Sequence, residues 1–150
     1  MRILQIIFTV ILMNFFCINL LSAAELKVVT SDDLTRILKQ RDDSKKILLF
    51  FTSWCSHCKG VIEQIIYQKN ENKIVFISLD KEFNKIQLMA QQMPENMIVY
   101  YLKNTDEVLA FFAKFGIKYK NSIPYITILD EDSDLLIDDI NIRQLYRYLK

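Results

Sequence analysis

Apolar positions along the chain fall into short runs and helix-spaced stripes that alternate. Ile47 to Phe51 are five consecutive apolar residues, too few for an independent helix and suited to a strand buried on both faces. Thr52, Ser53 and Trp54 carry the chain out of the sheet. From there Cys58, Val61, Ile62, Ile65 and Ile66 follow the i, i+3, i+4, i+7, i+8 spacing of one buried helix face. Ahead of this unit, Leu26 to Thr30 reads as a short strand. Thr30 or Ser31 then caps a helix carrying Leu34, Ile37 and Leu38, and the charged stretch Arg41 to Lys46 reads as a loop.

Beyond it, the apolar run Ile74 to Ile77 reads as an interior strand, parallel to the first because a helix intervenes. Lys81 to Gln92 is a helix with Phe83, Ile86, Ala90 and Met93 on one side. It ends before Pro94, since proline disfavours helix in its predecessor. Met97 to Tyr101 is a further strand. Thr105 caps a helix with Val108, Phe111, Phe112 and Phe115 inward and Gly116 as its stop. Ile126 to Leu129 and Leu135 to Ile140 form an antiparallel hairpin across Asp130 to Asp134. Asn141, with Gln144 three residues on, caps a last helix burying Ile142, Leu145, Tyr146 and Leu149.

The spacing Cys55-Ser56-His57-Cys58 brings chemistry into this pattern. Cys58 lies on the inward stripe. Cys55 lies one turn earlier, at the helix start, where free backbone N–H groups and the positive end of the helix dipole favour a thiolate. Dithiol exchange needs that asymmetry: one sulfur to attack, and a sheltered one to resolve the mixed disulfide. His57, the chain's single histidine, adds a possible positive charge beside Cys55, which makes the pair more oxidising. Structural zinc takes four Cys or His ligands, and beyond Cys55, His57 and Cys58 the chain past residue 24 offers none. Haem attachment needs a histidine directly after the second cysteine, and that position is Lys59.

Met1-Arg2, the apolar stretch Ile3 to Leu21, and Ser22-Ala23-Ala24 read as a secretory signal peptide, residues 1–24, cleaved after Ala24. Left uncleaved, the same segment approaches the length of a membrane anchor. Cleavage removes Cys17, so residues 25–150 keep only Cys55 and Cys58. It also removes Arg2 from the 19 basic residues, leaving 18 against 18 acidic ones. The expected net charge is zero, and no nucleic-acid or anionic-lipid surface is implied. An exported chain whose only cysteines form a CxxC pair carries a redox centre more readily than a structural staple. The end Tyr148-Leu149-Lys150 has no retention signal, so the bacterial periplasm is expected rather than the endoplasmic reticulum. The 150 residues, with 51% hydrophobic composition and two glycines and two prolines, suit one α/β domain over 25–150.

The element order, Trp54-Cys55-Ser56-His57-Cys58-Lys59, and Ile123-Pro124 before the hairpin together resemble the thioredoxin superfamily. The resemblance implies a thioredoxin fold, a central mixed sheet flanked by helices. It also implies a cis Pro124 beside the disulfide that, with Ile123, holds extended substrate. Trp54, an aromatic body with one polar tip, suits either a wall of the substrate groove or simple packing. The extra helix and strand from Lys81 to Tyr101 resemble the insertion of TlpA-like exported thiol-disulfide oxidoreductases, many of them reductants. A histidine before the second cysteine instead resembles DsbA-like and protein disulfide isomerase sites. A buried acid common in thioredoxins, six residues before the first cysteine, is replaced by Leu49. The expectation is an exported thiol-disulfide oxidoreductase, a reductant. Cys55 and Cys58 are its catalytic pair, it needs no organic cofactor or metal, and its substrates are disulfide or dithiol proteins. A membrane or soluble redox partner recycles it. Oxidase or isomerase activity is the first alternative, and copper capture by Cys55, Cys58 and His57 the second.

Overall fold

Six strands and five α-helices, with a short 3-10 turn at Glu71–Lys73, make up the fold in the computed structural model, which describes residues 23–41 and 45–149. They are β1 (Glu25–Val29), α1 (Ser31–Lys39), β2 (Lys46–Phe51), α2 (Ser56–Tyr67), β3 (Ile74–Ser78), α3 (Phe83–Ala90), β4 (Ile98–Leu102), α4 (Thr105–Phe115), β5 (Tyr125–Leu129), β6 (Leu135–Ile137) and α5 (Ile142–Tyr148). The strands form one mixed sheet in the order β1-β4-β3-β2-β5-β6. β2 runs parallel to β3 and antiparallel to β5, with Leu49 opposite Phe76 on one side and Ile126 on the other. The expected signal peptide lies outside the described residues except for its last two. Among the described residues no helix is long and apolar enough to cross a membrane.

Strand alternation assigns β2 to two cores at once. Ile47, Leu49 and Phe51 face a layer built from α2, α3 and α5, where Cys58, Ile65, Ile86 and Leu145 are buried. Leu48 and Phe50 face α1 and α4, where Leu34, Leu38, Phe111, Phe112 and Phe115 are buried. Phe50 meets the rings of Phe111 and Phe112 edge-on, with centroids 6.1 and 5.1 Å apart. The phenylalanine stripe of α4 is thus core, as its spacing requires. The segment after β3 forms α3 and β4, and β4 enters the sheet between β1 and β3.

Several boundaries differ from the sequence reading, each for a local reason. Asn104, not Thr105, caps α4, because its side chain accepts the Glu107 N–H at 3.0 Å. Gly116 ends that helix in the left-handed region at φ 65°, which glycine adopts without a Cβ clash. Lys46 belongs to β2 rather than to the preceding loop. Its ammonium is buried and donates to the Asp130 and Glu131 carbonyls at 3.1 and 2.7 Å, bridging to the β5–β6 turn. α3 is shorter than Lys81 to Gln92, and Phe83 is half-exposed against Tyr101. β6 stops at Ile137 because Asp138 turns away to bind other groups. On α5 only Leu145, with Leu149 just beyond, is fully buried, while Ile142 and Tyr146 are partly covered.

Asp138 ties the β5 strand to the loop before it. One carboxylate oxygen accepts the Tyr125 hydroxyl at 2.7 Å and the Thr127 hydroxyl at 3.1 Å, and the other accepts the Lys118 N–H at 2.9 Å. Burial, and then the Asp138 carboxylate, push the Tyr125 pKa far above the ordinary phenol value. The folded chain therefore holds this proton more tightly than the unfolded chain does, and the associated stability is lost as pH rises past about 10. Urea unfolding from pH 8 to 11.5 will show a smaller alkaline loss for Tyr125→Phe than for the unchanged protein. Separately, Phe111→Ala will cost about 3–5 kcal/mol of unfolding free energy through the cavity it leaves.

Candidate active site

At the end of β2 the chain makes one turn and starts α2 on a cysteine. Cys55 is the N-cap residue, and its Sγ accepts the Cys58 N–H at 3.1 Å. A sulfur thus takes the place of the usual Ser, Thr or Asp oxygen at a helix start. Cys55 and Cys58 are joined in a disulfide. Cys58 is fully buried on the inward stripe. Cys55 is only 7% exposed, less open than the sequence reading expected, because the Ile123 carbonyl oxygen lies 3.9 Å from its Sγ. The Ile123–Pro124 peptide bond is cis.

Two recesses flank this disulfide, and Ile123 lines both. One, of about 440 Å³, is bounded by His57, Pro124, Ile126 and the 139–142 segment. The other, of about 590 Å³, lies between Trp54, the end of β3 and the start of α4. Trp54 is 69% exposed, so it forms the wall of a groove rather than part of the core. All six sequence-selected residues, Trp54, Cys55, His57, Cys58, Ile123 and Pro124, therefore gather at one edge of the sheet.

Asp80 is the site-building residue that the sequence reading missed. Only 5% exposed, it accepts the Ser53 N–H at 2.8 Å, the Ser53 hydroxyl at 2.7 Å and the Ser78 hydroxyl at 2.8 Å. It thereby pins the segment between β2 and Cys55 to the end of β3. Its signal was present: an acid three residues past the apolar run of a strand parallel to β2 must end at the same sheet edge as Cys55. Thr52, next to Ser53, is 4% exposed, and its hydroxyl has no hydrogen-bond partner. Leu49 is buried among apolar neighbours, so no acid stands at that position. Among the described residues no group of three or more His, Cys, Asp or Glu is arranged to hold a metal ion.

Comparison with known proteins agrees with this geometry. The thioredoxin-like family model matches residues 43–135, which include β2, the cysteine pair and the proline. The chain belongs to the thioredoxin-like family. A thioredoxin-like protein from Bacteroides caccae is 23% identical with a TM-score of 0.55, covering 75% of this chain. The match spans 42% of that longer protein. A conserved protein of unknown function from Bacteroides fragilis is 21% identical with a TM-score of 0.59, covering 87% of this chain and 97% of its own. Native tryparedoxin I from Crithidia fasciculata is 21% identical with a TM-score of 0.53, covering 73% and 77%. At these identities the structures share the fold. No curated protein matches.

Asp80→Asn keeps the side-chain volume but weakens acceptance of three donors, two of them on Ser53. It will cost about 1–3 kcal/mol in denaturant unfolding. Removing a buried negative charge near Cys55 also favours the thiolate, so the reduction potential of the cysteine pair will rise. A stability loss with no change in potential would restrict Asp80 to holding the loop.

Proposed function

We propose that the protein is an exported thiol-disulfide oxidoreductase, of the TlpA-like kind, that reduces disulfides of protein substrates in the bacterial periplasm. The observation that carries this reading is the cysteine pair at the start of α2, with Cys55 against the backbone of the Ile123-Pro124 turn. An extended substrate laid along that turn brings a sulfur to Cys55. The domain that acts is residues 25–150, and residues 1–24 are the export signal, serving as an anchor where they are retained.

In the reducing direction the Cys55 thiolate attacks one sulfur of a substrate disulfide. The substrate S–S bond breaks, a Cys55–substrate disulfide forms, and the other substrate sulfur leaves as a thiolate that takes up a proton. Cys58 then gives up its proton and attacks Cys55 Sγ. The Cys55–Cys58 bond forms and the second substrate thiol is released, so two electrons have passed from the dithiol to the substrate. Complete burial of Cys58 suits the resolving role, since it meets only a sulfur already bonded to Cys55. With one dithiol per chain, turnover requires an external reductant, here a membrane or soluble redox partner.

The reductant direction is supported by the α3–β4 segment, which resembles the insertion of TlpA-like oxidoreductases, many of them reductants. His57 favours a second reading, a disulfide oxidase or isomerase, because it stands on the first turn of α2 and lines the Pro124 recess. A protonated imidazole there stabilises the reduced form.

Equilibration of the purified protein in glutathione buffers, with the Cys55–Cys58 pair read by thiol alkylation and peptide mass, tests both. A potential near about −270 mV is expected, while one between about −120 and −180 mV assigns the oxidising direction. Cys58→Ser will accumulate a Cys55 mixed disulfide and Cys55→Ser will not. Absence of any reversible couple overturns the redox reading.

A further inference from the structure

The groove on the Trp54 side of the disulfide is built with uneven charge. Its apolar surface comes from Trp54, Leu109, Val108 and Phe112. Leu109 is 59% exposed, which is unusual for a leucine beside an exposed tryptophan and marks a surface that a partner can cover. Three charged side chains line the groove, namely Asp80, Lys81 and Lys103. The Asp80 carboxylate is turned inward and occupied by Ser53 and Ser78. Lys81 and Lys103 are exposed, and among the described residues neither ammonium has a hydrogen-bond or ion-pair partner.

Nearby carboxylates do not cancel these two charges. Glu82 is paired with Lys85 at 2.8 Å, and Glu107 accepts the Ser31 N–H at 2.6 Å on the far side of α4. Asp106 is exposed in the first turn of α4 and does not line the groove. The start of that 11-residue helix, Asn104 and Thr105, does line it and adds the positive end of a helix dipole. The buried Thr52 hydroxyl, which lacks a partner, also belongs to the lining.

We propose that this groove selects acidic protein substrates. The segment flanking the substrate cysteine places an apolar side chain on Trp54 and Leu109 and a carboxylate against Lys81 and Lys103. The proposal deepens the oxidoreductase reading and rests on it. Ile123, which lines the groove and touches Cys55 Sγ, makes the groove continuous with the exchange site. A peptide residue docked there is therefore within a few positions of the sulfur that reacts. Exposed charge pairs of this kind act on encounter and register more than on final affinity, so the effect appears in exchange rates.

The test uses reduced protein and disulfide-bridged peptides that carry a leucine beside the cysteine and differ only in two flanking Asp, Asn or Lys residues. Peptide thiol release is followed by chromatography, with dithiothreitol as an uncharged reference reductant. The Asp peptide is expected to react about tenfold faster than the Lys peptide at low salt, relative to dithiothreitol, with the ratio approaching one at about 0.5 M salt. In Lys81→Glu/Lys103→Glu the order of the two peptides reverses. Equal relative rates for the three peptides, or the same ratio in the double variant, overturn the charge selection and leave the redox reading standing. No exchange with any peptide overturns both.

Discussion

The double burial of β2 is the constraint on which the site depends. The strand is hydrogen-bonded to β3 on one side and β5 on the other, and its alternate side chains are committed to two separate cores. A slip of one residue would exchange the two sets, moving Phe50 from the aromatic layer of α4 into the layer under α2. Five large apolar side chains would then be misplaced at once, so the register is fixed. Because Cys55 lies only four residues beyond Phe51, its position relative to β3 and β5 is fixed as well. The placement of Cys55 follows from core packing several residues away.

Rigid strands do not by themselves hold the loops that leave them, and here two aspartates do so. Asp80 binds the segment 52–54 to the end of β3, and Asp138 binds the loop around Lys118 to the hairpin strand through Tyr125 and Thr127. The first loop delivers Cys55 and the second delivers Ile123 and Pro124. Each carboxylate accepts three hydrogen bonds from groups on different segments, which fixes relative position better than apolar contact does. The meeting of Cys55 Sγ with the Ile123 carbonyl at 3.9 Å is the product of both clamps.

Much of this was legible in the chain because it depends on periodicity. The β2 run, the α2 stripe, the phenylalanines of α4 and the capping box at Asn141 all follow from spacing, and the structure holds each of them. The cysteine pair was legible from its spacing at a helix start, and Ile123-Pro124 through the resemblance to the thioredoxin superfamily. What escaped was polar and non-local. Lys46 looks like the end of a charged loop, yet its ammonium finds two carbonyls 84 and 85 residues away. Asp80 looks like the start of a solvated helix, yet it serves Ser53, 27 residues earlier. Pairings of that kind are set by tertiary neighbours, and no local pattern encodes them.

The replacement of an internal acid by Leu49 has a consequence for the order of proton movements. Leu49 and Cys58 belong to the same buried apolar cluster, and burial without a charged partner disfavours a thiolate. Cys58 is thus the poorer place for a charge, and Cys55, with the Cys58 N–H on its sulfur, the better one. In the proposed mechanism the Cys58 proton leaves once the mixed disulfide has formed, and position 49 holds a leucine rather than a carboxylate to take it. Asp80 is the nearest buried acid to the loop, but its oxygens are filled by serine donors. The unpartnered Thr52 hydroxyl is one polar group in that loop with hydrogen-bonding capacity to spare. On that mechanism, resolution by Cys58 draws on solvent or on the departing substrate thiolate as base.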